Sequence, residues 1–384
     1  MQDYSKLRLI LPAFIASRVL VLCLIIFTQQ VQIEKIPAKE GFNYKPELLL
    51  DIHKIPENLK LVFSSADADW YFKIAEVGYD NELFTKTTPK NWVFFPLFPL
   101  LIKLLNLITH SSIASSLLIS HFCFLLSLYF LASFLGELSF SDTEITRASF
   151  LLCFFPVSYF FSAPLTEPLF FLLLIASWYF LELRKTTTSI LLYSLLLITR
   201  PTGVIILPAY IFRLQQKGLL NIKNIIPFGA ILVLPLSCFL FYLYKLTGNF
   251  LAFSQNQLAW NRGLISFSEL LSQTYHNPNI LMISWNFILL NISLTLAAFM
   301  LAIYHLTKKR YDFFLLIFLP LSISLSTGSY VSLARFCMVS FPIYLALVEI
   351  FRSEKYFYLL LSIFTAIFAV MTLLYSSLYT SAMA

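Results

Sequence analysis

Long apolar runs separated by short polar segments dominate this 384-residue chain. Most runs approach the ~20 apolar residues that a helix needs to cross the hydrocarbon core of a bilayer. Backbone groups inside a bilayer must be hydrogen-bonded within the segment, so such runs are expected to be helices. The pattern predicts an all-α polytopic transmembrane protein with about nine to eleven spans or half-spans. The predicted spans are 8–29, 113–136, 148–162, 168–183, 225–246, 279–305, 312–328, 333–351 and 356–380.

Two further apolar segments do not fit a simple span. Residues 94–109 are short and carry Lys103, which favours a juxtamembrane or re-entrant helix. Residues 189–213 are interrupted by Pro201 and Gly203, and these residue types together end a helix. The second segment therefore predicts two short half-helices.

One long polar segment follows the first span. Ten of the chain's twenty acidic residues lie between Glu34 and Glu82, inside the segment 30–93. No polar stretch is long enough to form a separate soluble domain, so the pattern predicts one transmembrane domain over residues 1–384, with 30–93 as a helical outer loop. Carboxylates concentrated at the edge of a membrane indicate chemistry at its surface.

The composition agrees with a membrane protein, since 59% of residues are hydrophobic and only 12% are charged. The net charge of +7 is spread over loops, which suits cytoplasmic anchoring and anionic lipid headgroups better than nucleic acid. Placing the basic clusters in the cytoplasm puts the loops 30–93 and 247–278 outside, provided that 189–213 is a hairpin with both ends inside or that one other segment fails to span. We expect a multi-pass protein of the cell membrane, or of the endoplasmic reticulum in a eukaryote, with its active site facing outside or the lumen. The basic clusters are Lys6/Arg8, Arg184/Lys185, Arg213/Lys217/Lys223, Lys308/Lys309/Arg310 and Arg352/Lys355.

The acidic loop contains a candidate catalytic segment. Asp67, Trp70 and Tyr71 are spaced i, i+3 and i+4, so they share one face of a helix. In a functional interpretation, Asp67 is a carboxylate at the membrane edge that faces a substrate. In a structural interpretation, Ser64 and Asp67 form a capping box, and Asp67 only stabilises a helix N-terminus by ~0.5 to 1 kcal/mol. Asp69 points to another face and is either a second acid or a solvated charge.

Charged residues also lie within or beside the apolar runs. A charge inside a span is costly and usually faces a cavity or a partner. Arg18 lies near the middle of the first span, where a structural ion pair is the alternative to a functional role. Arg335 lies at an outward helix end, where it is placed to bind a lipid phosphate, and Arg200 lies in a helix break. Glu167, in a proline-flanked turn, is either a cavity-facing acid or a charge at a helix N-terminus.

The loop 248–262 is rich in amides and aromatic rings. Gln257 and Trp260 are suited to sugar hydroxyls and sugar faces, although interfacial tryptophan belts have a similar composition. The chain has no P-loop, no GxGxxG, no HExxH, no GxSxG and no paired-cysteine metal site. Nucleotide-driven transport and zinc proteolysis therefore lose support, and neither a cofactor nor a metal is expected.

Several blocks follow one another in a recognisable order. The chain has Asp67, Tyr71, Ile74-Ala75 and Gly78-Tyr79, followed by Phe-Phe-Pro-Leu-Phe-Pro at 94–99. This order resembles the PIG-V type, GPI mannosyltransferase 2-like family of GT-C class membrane glycosyltransferases. The chain departs from the family pattern at Ala66, where the family has Trp. Later matching blocks are Phe161 to Pro164 with Glu167, Thr199-Arg200 with Gly203, Gly248 with Gln257 and Trp260, and Arg335 before Phe341-Pro342.

The resemblance implies that a hexose, most often mannose, is transferred from a polyprenyl-phosphate donor to a glycan or lipid acceptor. It implies that Asp67 is the catalytic base and that the reaction inverts the sugar. Arg335 and Arg200 would offset the charge of the departing phosphate. The predicted substrate-binding residues are Trp70, Tyr71, Gln257 and Trp260, with Asp69 and Glu167 as possible second acids. The alternatives are a transporter or flippase for a lipid-linked or anionic substrate, and a non-catalytic subunit of a membrane assembly.

Overall fold

The computed structural model describes residues 2–30, 59–60, 62–64, 67–260, 262–276 and 288–378, and these residues form helices without a β-strand. Ala66, residues 31–58 of the acidic loop and the start of the predicted span 279–305 lie outside this part of the chain. The helices are α1 (Gln2–Gln30), α2 (Asp67–Glu76), α3 (Leu97–Thr109), α4 (Ser112–Glu137), α5 (Asp142–Cys153), α6 (Glu167–Glu182), α7 (Thr186–Leu197), α8 (Pro201–Ile205), α9 (Leu207–Gln216), α10 (Ile222–Thr247), α11 (Ala252–Gln255), α12 (Phe267–His276), α13 (Ile288–Thr307), α14 (Tyr311–Ser326), α15 (Leu333–Met338), α16 (Pro342–Ile350) and α17 (Glu354–Leu378). Three short 3₁₀ helices, at Asn91–Val93, Ser158–Ser162 and Asn256–Trp260, join them.

Five helices of the described residues are long and apolar enough to cross a bilayer: α1, α4, α10, α13 and α17. Four of them coincide with predicted spans, and α13 coincides with the described part of the fifth. Helix α10 exposes large apolar side chains, including Ile226, Leu234 and Phe241. An apolar surface of this kind is stable against lipid and unfavourable in water. The prediction of an all-α polytopic membrane protein is confirmed.

Two predicted spans, 148–162 and 333–351, are wrong as single helices. The first is broken after α5, where Pro156 precedes a short 3₁₀ helix. The second is broken between α15 and α16, where Pro342 occupies the first turn of the new helix. Proline lacks a backbone N–H and clashes with the preceding turn, so it ends a helix while the hydropathy of the segment stays high.

Arg18 in α1 binds the first of these breaks. Its guanidinium donates to the carbonyl oxygens of Cys153 and Ser158 at 3.1 and 3.0 Å, and to the hydroxyls of Ser158 and Ser162 at 3.0 and 2.9 Å. It also lies over the ring of Phe124, 4.8 Å from the centroid. Backbone carbonyls freed by a helix break need donors inside a membrane protein. Arg18 thus has a structural role, although its partners are carbonyls and hydroxyls and not the acid of an ion pair.

Helix α6 forms the buried centre of the molecule. Nearly all of its residues from Glu167 to Leu181 are buried, and it packs most extensively against α4 and α7. Sixteen helical residues are about 24 Å long, so the two ends of α6 lie far apart. The residues around each end are therefore considered separately below.

Residues 186–216 form a helical hairpin beside α6, made of α7 and the pair α8 and α9. The rings of Tyr193 and Tyr210 stack across it with centroids 4.0 Å apart. At the turn, a Cβ on Gly203 would lie 2.7 Å from the carbonyl oxygen of Leu196, so only glycine permits this approach of the two backbones. The segment 189–213 is therefore two half-helices, as the sequence predicts.

Candidate active site

Four charged side chains meet beside the N-terminus of α6: Asp67, Glu167, Arg200 and Arg335, called the acid–arginine cluster below. Arg335 donates to Glu167 Oε1 at 2.6 Å through Nε and to Asp67 Oδ2 at 3.2 and 3.3 Å through its two terminal nitrogens. Arg200 donates to the same Glu167 Oε1 at 2.5 Å. Arg335 is thus the bridge between the two carboxylates.

Each residue of the cluster lies at or close to the end of a short helix. Asp67 and Glu167 are the first residues of α2 and α6, Arg200 immediately precedes α8, and Arg335 lies in the first turn of α15. Carboxylates are favoured at helix N-termini, where the backbone N–H groups have no partner within the helix. The proline-rich breaks that shorten these helices therefore also direct the four charges toward one point.

The two carboxylates of the cluster differ in accessibility. The side chain of Glu167 is fully buried, whereas that of Asp67 keeps 34% of its surface exposed. Glu167 Oε2 has no hydrogen-bond partner among the described residues, although Oε1 accepts from two arginines. Asp67 is thus accessible from outside the cluster, and Glu167 holds the two arginines from within.

An aromatic wall lies next to the cluster, formed by Trp70, Tyr71, Phe94 and Trp260. Trp70 stacks on Phe94 with centroids 5.9 Å apart, and Trp260 meets both rings edge-on at 5.2 and 5.7 Å. The indole Nε1 of Trp260 is buried and has no partner within the described part of the chain. Indole faces and edges of this kind suit an amphipathic ligand such as a sugar on a lipid.

Tyr71 joins the aromatic wall to the cluster. Its hydroxyl lies 3.5 Å from that of Thr166, which immediately precedes Glu167. Burial raises the pKa of this hydroxyl, and the nearby Asp67 raises it further. Tyr71 is therefore a neutral hydrogen-bonding group at physiological pH.

Asp69 does not join the cluster. It is exposed on another face of α2, as its spacing predicts, and lines an open groove of ≈ 470 Å³ together with Lys73, Glu76 and Ser112. Partial burial raises the pKa of its carboxyl. The structure thus separates the two acids of the Asp67 segment into different environments.

Arg262 is the charged residue of this region that sequence reasoning did not select. It follows the 3₁₀ helix Asn256–Trp260, and its backbone N–H donates to the carbonyl of Gln257 at 3.0 Å. Gln257 itself is half-buried, and no contact places its side chain in the cluster. Burial lowers the pKa of Arg262, while the carboxylate of Asp67 raises it and Arg335 and Arg200 lower it further, so Arg262 lies within electrostatic range of the cluster. In the sequence, the feature that could have indicated Arg262 is its place at the end of the loop 248–262, which is rich in amides and aromatic rings.

A second charge cluster, called the basic-end cluster, lies at the C-terminus of α6 and contains Glu182, Arg213, Lys217 and Asp312. Arg213 and Lys217 both pair with Glu182, and Arg213 also lies 3.4 Å from Asp312. Arg310, near Asp312 in sequence, makes two bonds to Glu349 at 2.9 and 2.8 Å. Residues of three of the basic segments thus lie at or near this end: Arg184/Lys185, directly after α6, Arg213/Lys217 and Arg310.

No group of three or more His, Cys, Asp or Glu side chains within the described ranges is arranged to hold a metal ion. Residues 7–255 match the family model described as Mannosyltransferase (PIG-V), a range that includes Asp67, Glu167 and Arg200. No curated protein matches the chain.

Among solved structures, the chain is similar to the Archaeoglobus fulgidus oligosaccharyltransferase tethered with an acceptor peptide containing the NVT sequon via a disulfide bond. The identity is 12% and the TM-score is 0.43, over 94% of this chain and 55% of that chain. The chain therefore spans about half the length of that protein.

Proposed function

The chain belongs to the PIG-V mannosyltransferase family, and from this premise we propose that it is a membrane glycosyltransferase with Asp67 as its catalytic base. It transfers a hexose, with mannose as the first candidate, from a polyprenyl-phosphate donor to the hydroxyl of a glycan or lipid acceptor. The family match favours this reaction over the transporter and flippase alternatives, which have no comparable support.

The observation that carries the proposal is the state of Asp67 within the acid–arginine cluster. One of its oxygens contacts Arg335, and a third of its side-chain surface is open. A general base needs both an orientation and access to the proton that it removes. The buried Glu167 lacks that access, which leaves Asp67 as the base and Glu167 as the residue that positions both arginines.

The proposed reaction is a single displacement at the sugar C1. Asp67 takes the proton of the acceptor hydroxyl while the acceptor oxygen attacks C1 from the face opposite the phosphate. The bond from C1 to the phosphate oxygen breaks, and its electron pair leaves with polyprenyl phosphate, so the sugar is inverted. Arg335 and Arg200 lie where a phosphate beside Asp67 would meet their positive charge.

An apolar cavity supports a lipid-linked donor. It has a volume of ≈ 320 Å³ and lies between α13, α16 and α17, with Leu294, Leu301, Leu347 and Phe364 among its walls. Its lining includes Cys337, which brings part of this cavity to within two residues of Arg335 along α15.

The proposed orientation places the acid–arginine cluster at the outer or lumenal face. The basic-end cluster lies at the opposite end of α6, and cytoplasmic ends of membrane proteins are enriched in lysine and arginine. The hairpin of α7, α8 and α9 has both ends at the basic end and its turn at the cluster, which is consistent with this orientation.

The experiment compares Asp67→Asn with Asp69→Asn in purified protein supplied with polyprenyl-phosphate mannose and candidate acceptors. Release of polyprenyl phosphate should fall about 10²- to 10⁴-fold for Asp67→Asn, because the amide cannot accept the proton. Asp69→Asn should retain activity within about twofold, since Asp69 lies outside the cluster. Thermal unfolding of each variant checks the fold, and full activity in a folded Asp67→Asn protein would refute the assignment.

A further inference from the structure

We propose that Arg262 binds the phosphate of the lipid-linked donor and supplies the positive charge that the acid–arginine cluster lacks by itself. The inference rests on the proposed function, which it deepens by naming the residue that receives the anionic group. Arg335 and Arg200 are close enough to assist, but both are already engaged by carboxylates.

The segment that carries Arg262 is held on both sides. On one side, Trp260 packs against Trp70 of α2, with ring centroids 5.2 Å apart. On the other side, the backbone N–H of Ile265 donates to the carbonyl of Ser326 at 2.9 Å. Arg262 lies between these two attachments, so its position relative to α2 and the cluster is defined by packing.

The guanidinium of Arg262 has no ion pair and no hydrogen bond within the described part of the chain, and it is half-buried. Every other arginine of this region has a carboxylate partner, because Arg335 pairs with Asp67 and Glu167, and Arg200 pairs with Glu167. Its nitrogens are not among the fully buried side-chain atoms that lack a partner, so they remain accessible to an anionic ligand. Planar guanidinium groups bind phosphate oxygens through paired hydrogen bonds.

The charges of the region match those of the reaction only when Arg262 is included. The four residues of the acid–arginine cluster carry two positive and two negative charges, and Arg262 raises the sum to +1. A polyprenyl-phosphate sugar is a phosphodiester with one negative charge. When the C1–oxygen bond breaks, the phosphate gains a second negative charge while Asp67 gains the acceptor's proton. The site then carries +2 against a phosphate of −2, so the charges balance before and after the transfer.

The first measurement is steady-state kinetics of Arg262→Gln, with Lys86→Gln as the control. Lys86 is an exposed lysine of the outer loop with no ion pair to the cluster among the described residues, so its replacement removes the same charge without removing a contact of the cluster. We expect Arg262→Gln to raise KM for polyprenyl-phosphate mannose about 10- to 100-fold, the effect of losing one charged hydrogen-bond partner. Arg262→Lys should lie between Arg262→Gln and the native protein, and Lys86→Gln should match the native protein.

The second measurement is binding, with polyprenyl phosphate and the neutral polyprenol of equal length as probes. Native protein should bind the phosphate more tightly than the alcohol, and Arg262→Gln should lose most of that difference. A folded Arg262→Gln protein with native KM and native preference for the phosphate would overturn the inference. If native protein turns over no sugar donor but Arg262→Gln still loses the preference, the proposed function fails while the phosphate site stands. If Arg262→Gln unfolds, the preference for polyprenyl phosphate over polyprenol is measured in Arg262→Lys instead and compared with that of the native protein.

Discussion

The two ends of α6 carry charge clusters of similar composition, but the clusters differ in how their side chains are paired and exposed. Around Glu182 at the C-terminal end, two cations pair with one glutamate, and Arg213 also lies against Asp312. At the N-terminal end, Glu167 is equally buried, but the partly exposed Asp67 and the unpaired Arg262 lie beside it. Aromatic rings lie beside both clusters, since Trp260 packs on Trp70 near the N-terminal one and Arg213 lies over the ring of Phe313, 5.6 Å from its centroid, at the other. The difference lies in accessibility, since the carboxylate of Glu182 is nearly buried against two cations while that of Asp67 stays 34% exposed.

The largest effect should come from Glu167→Gln, which tests whether the N-terminal cluster depends on its buried carboxylate. Removing one partner of a buried ion pair costs about 3 to 5 kcal/mol, and here Arg200 loses its carboxylate while Arg335 keeps only its contact with Asp67. We expect a strongly lowered Tm and loss of activity in the protein that remains folded. Glu182→Gln, at the other end, should lower Tm but leave the activity of folded protein near native. If Glu167→Gln and Glu182→Gln lose equal activity, the proposed functional difference between the two ends of α6 is contradicted.

Arg335→Lys should produce the next largest effect. Lysine keeps the charge but cannot contact Asp67 and Glu167 together as the forked guanidinium does. Turnover should fall about 10- to 100-fold, since a charged hydrogen bond contributes about 1.5 to 3 kcal/mol. Arg213→Lys is the matched change in the basic-end cluster and should alter thermal unfolding more than turnover. A kcat ratio near one for Arg335→Lys would contradict its bridging role.

Gly203→Ala tests the hairpin turn that brings Arg200 to the N-terminal cluster. The added methyl would lie 2.7 Å from the carbonyl oxygen of Leu196, which forces the two helices apart. Destabilisation of about 1 to 3 kcal/mol is expected from such overpacking, together with reduced turnover. Gly136→Ala in α4 is the control, because a Cβ there meets nothing within 4 Å. A stable and fully active Gly203→Ala protein would mean that the turn tolerates rearrangement.

The smallest effect on stability should come from Trp260→Phe, which probes the aromatic wall. The replacement keeps a ring against Trp70 and Phe94 and removes an indole N–H that has no partner in the described residues. Because no hydrogen bond is lost, the free energy of unfolding should change by less than about 1 kcal/mol. We expect KM for the sugar donor to rise if the N–H meets substrate. A large drop in Tm would instead assign the indole to packing.

Individual candidates for the site could be recognised from the sequence, because charges in an apolar chain are rare and costly. Glu167, Arg200 and Arg335 stand out on that ground, whereas Asp67 stands out by its helical spacing with Trp70 and Tyr71 in the acidic loop. Their association could not be predicted, since Arg335 and Asp67 are separated by 268 positions and meet through packing. Arg262 was overlooked because an arginine in a loop is ordinary until its surroundings are known. The substrate-facing role of Asp67 remains a prediction.

The sequence by itself determined the membrane character, the all-α class and the breaks near Pro201 and Gly203, since hydropathy and backbone chemistry are local properties. Tertiary structure decided that the runs 148–162 and 333–351 are broken helices, and that Arg18 binds carbonyls freed by one of these breaks. The tertiary structure also decided which charged side chains form ion pairs and which remain exposed. Charge pairing depends on distances between residues far apart in the chain, and those distances exist only after α6 and its neighbours have packed.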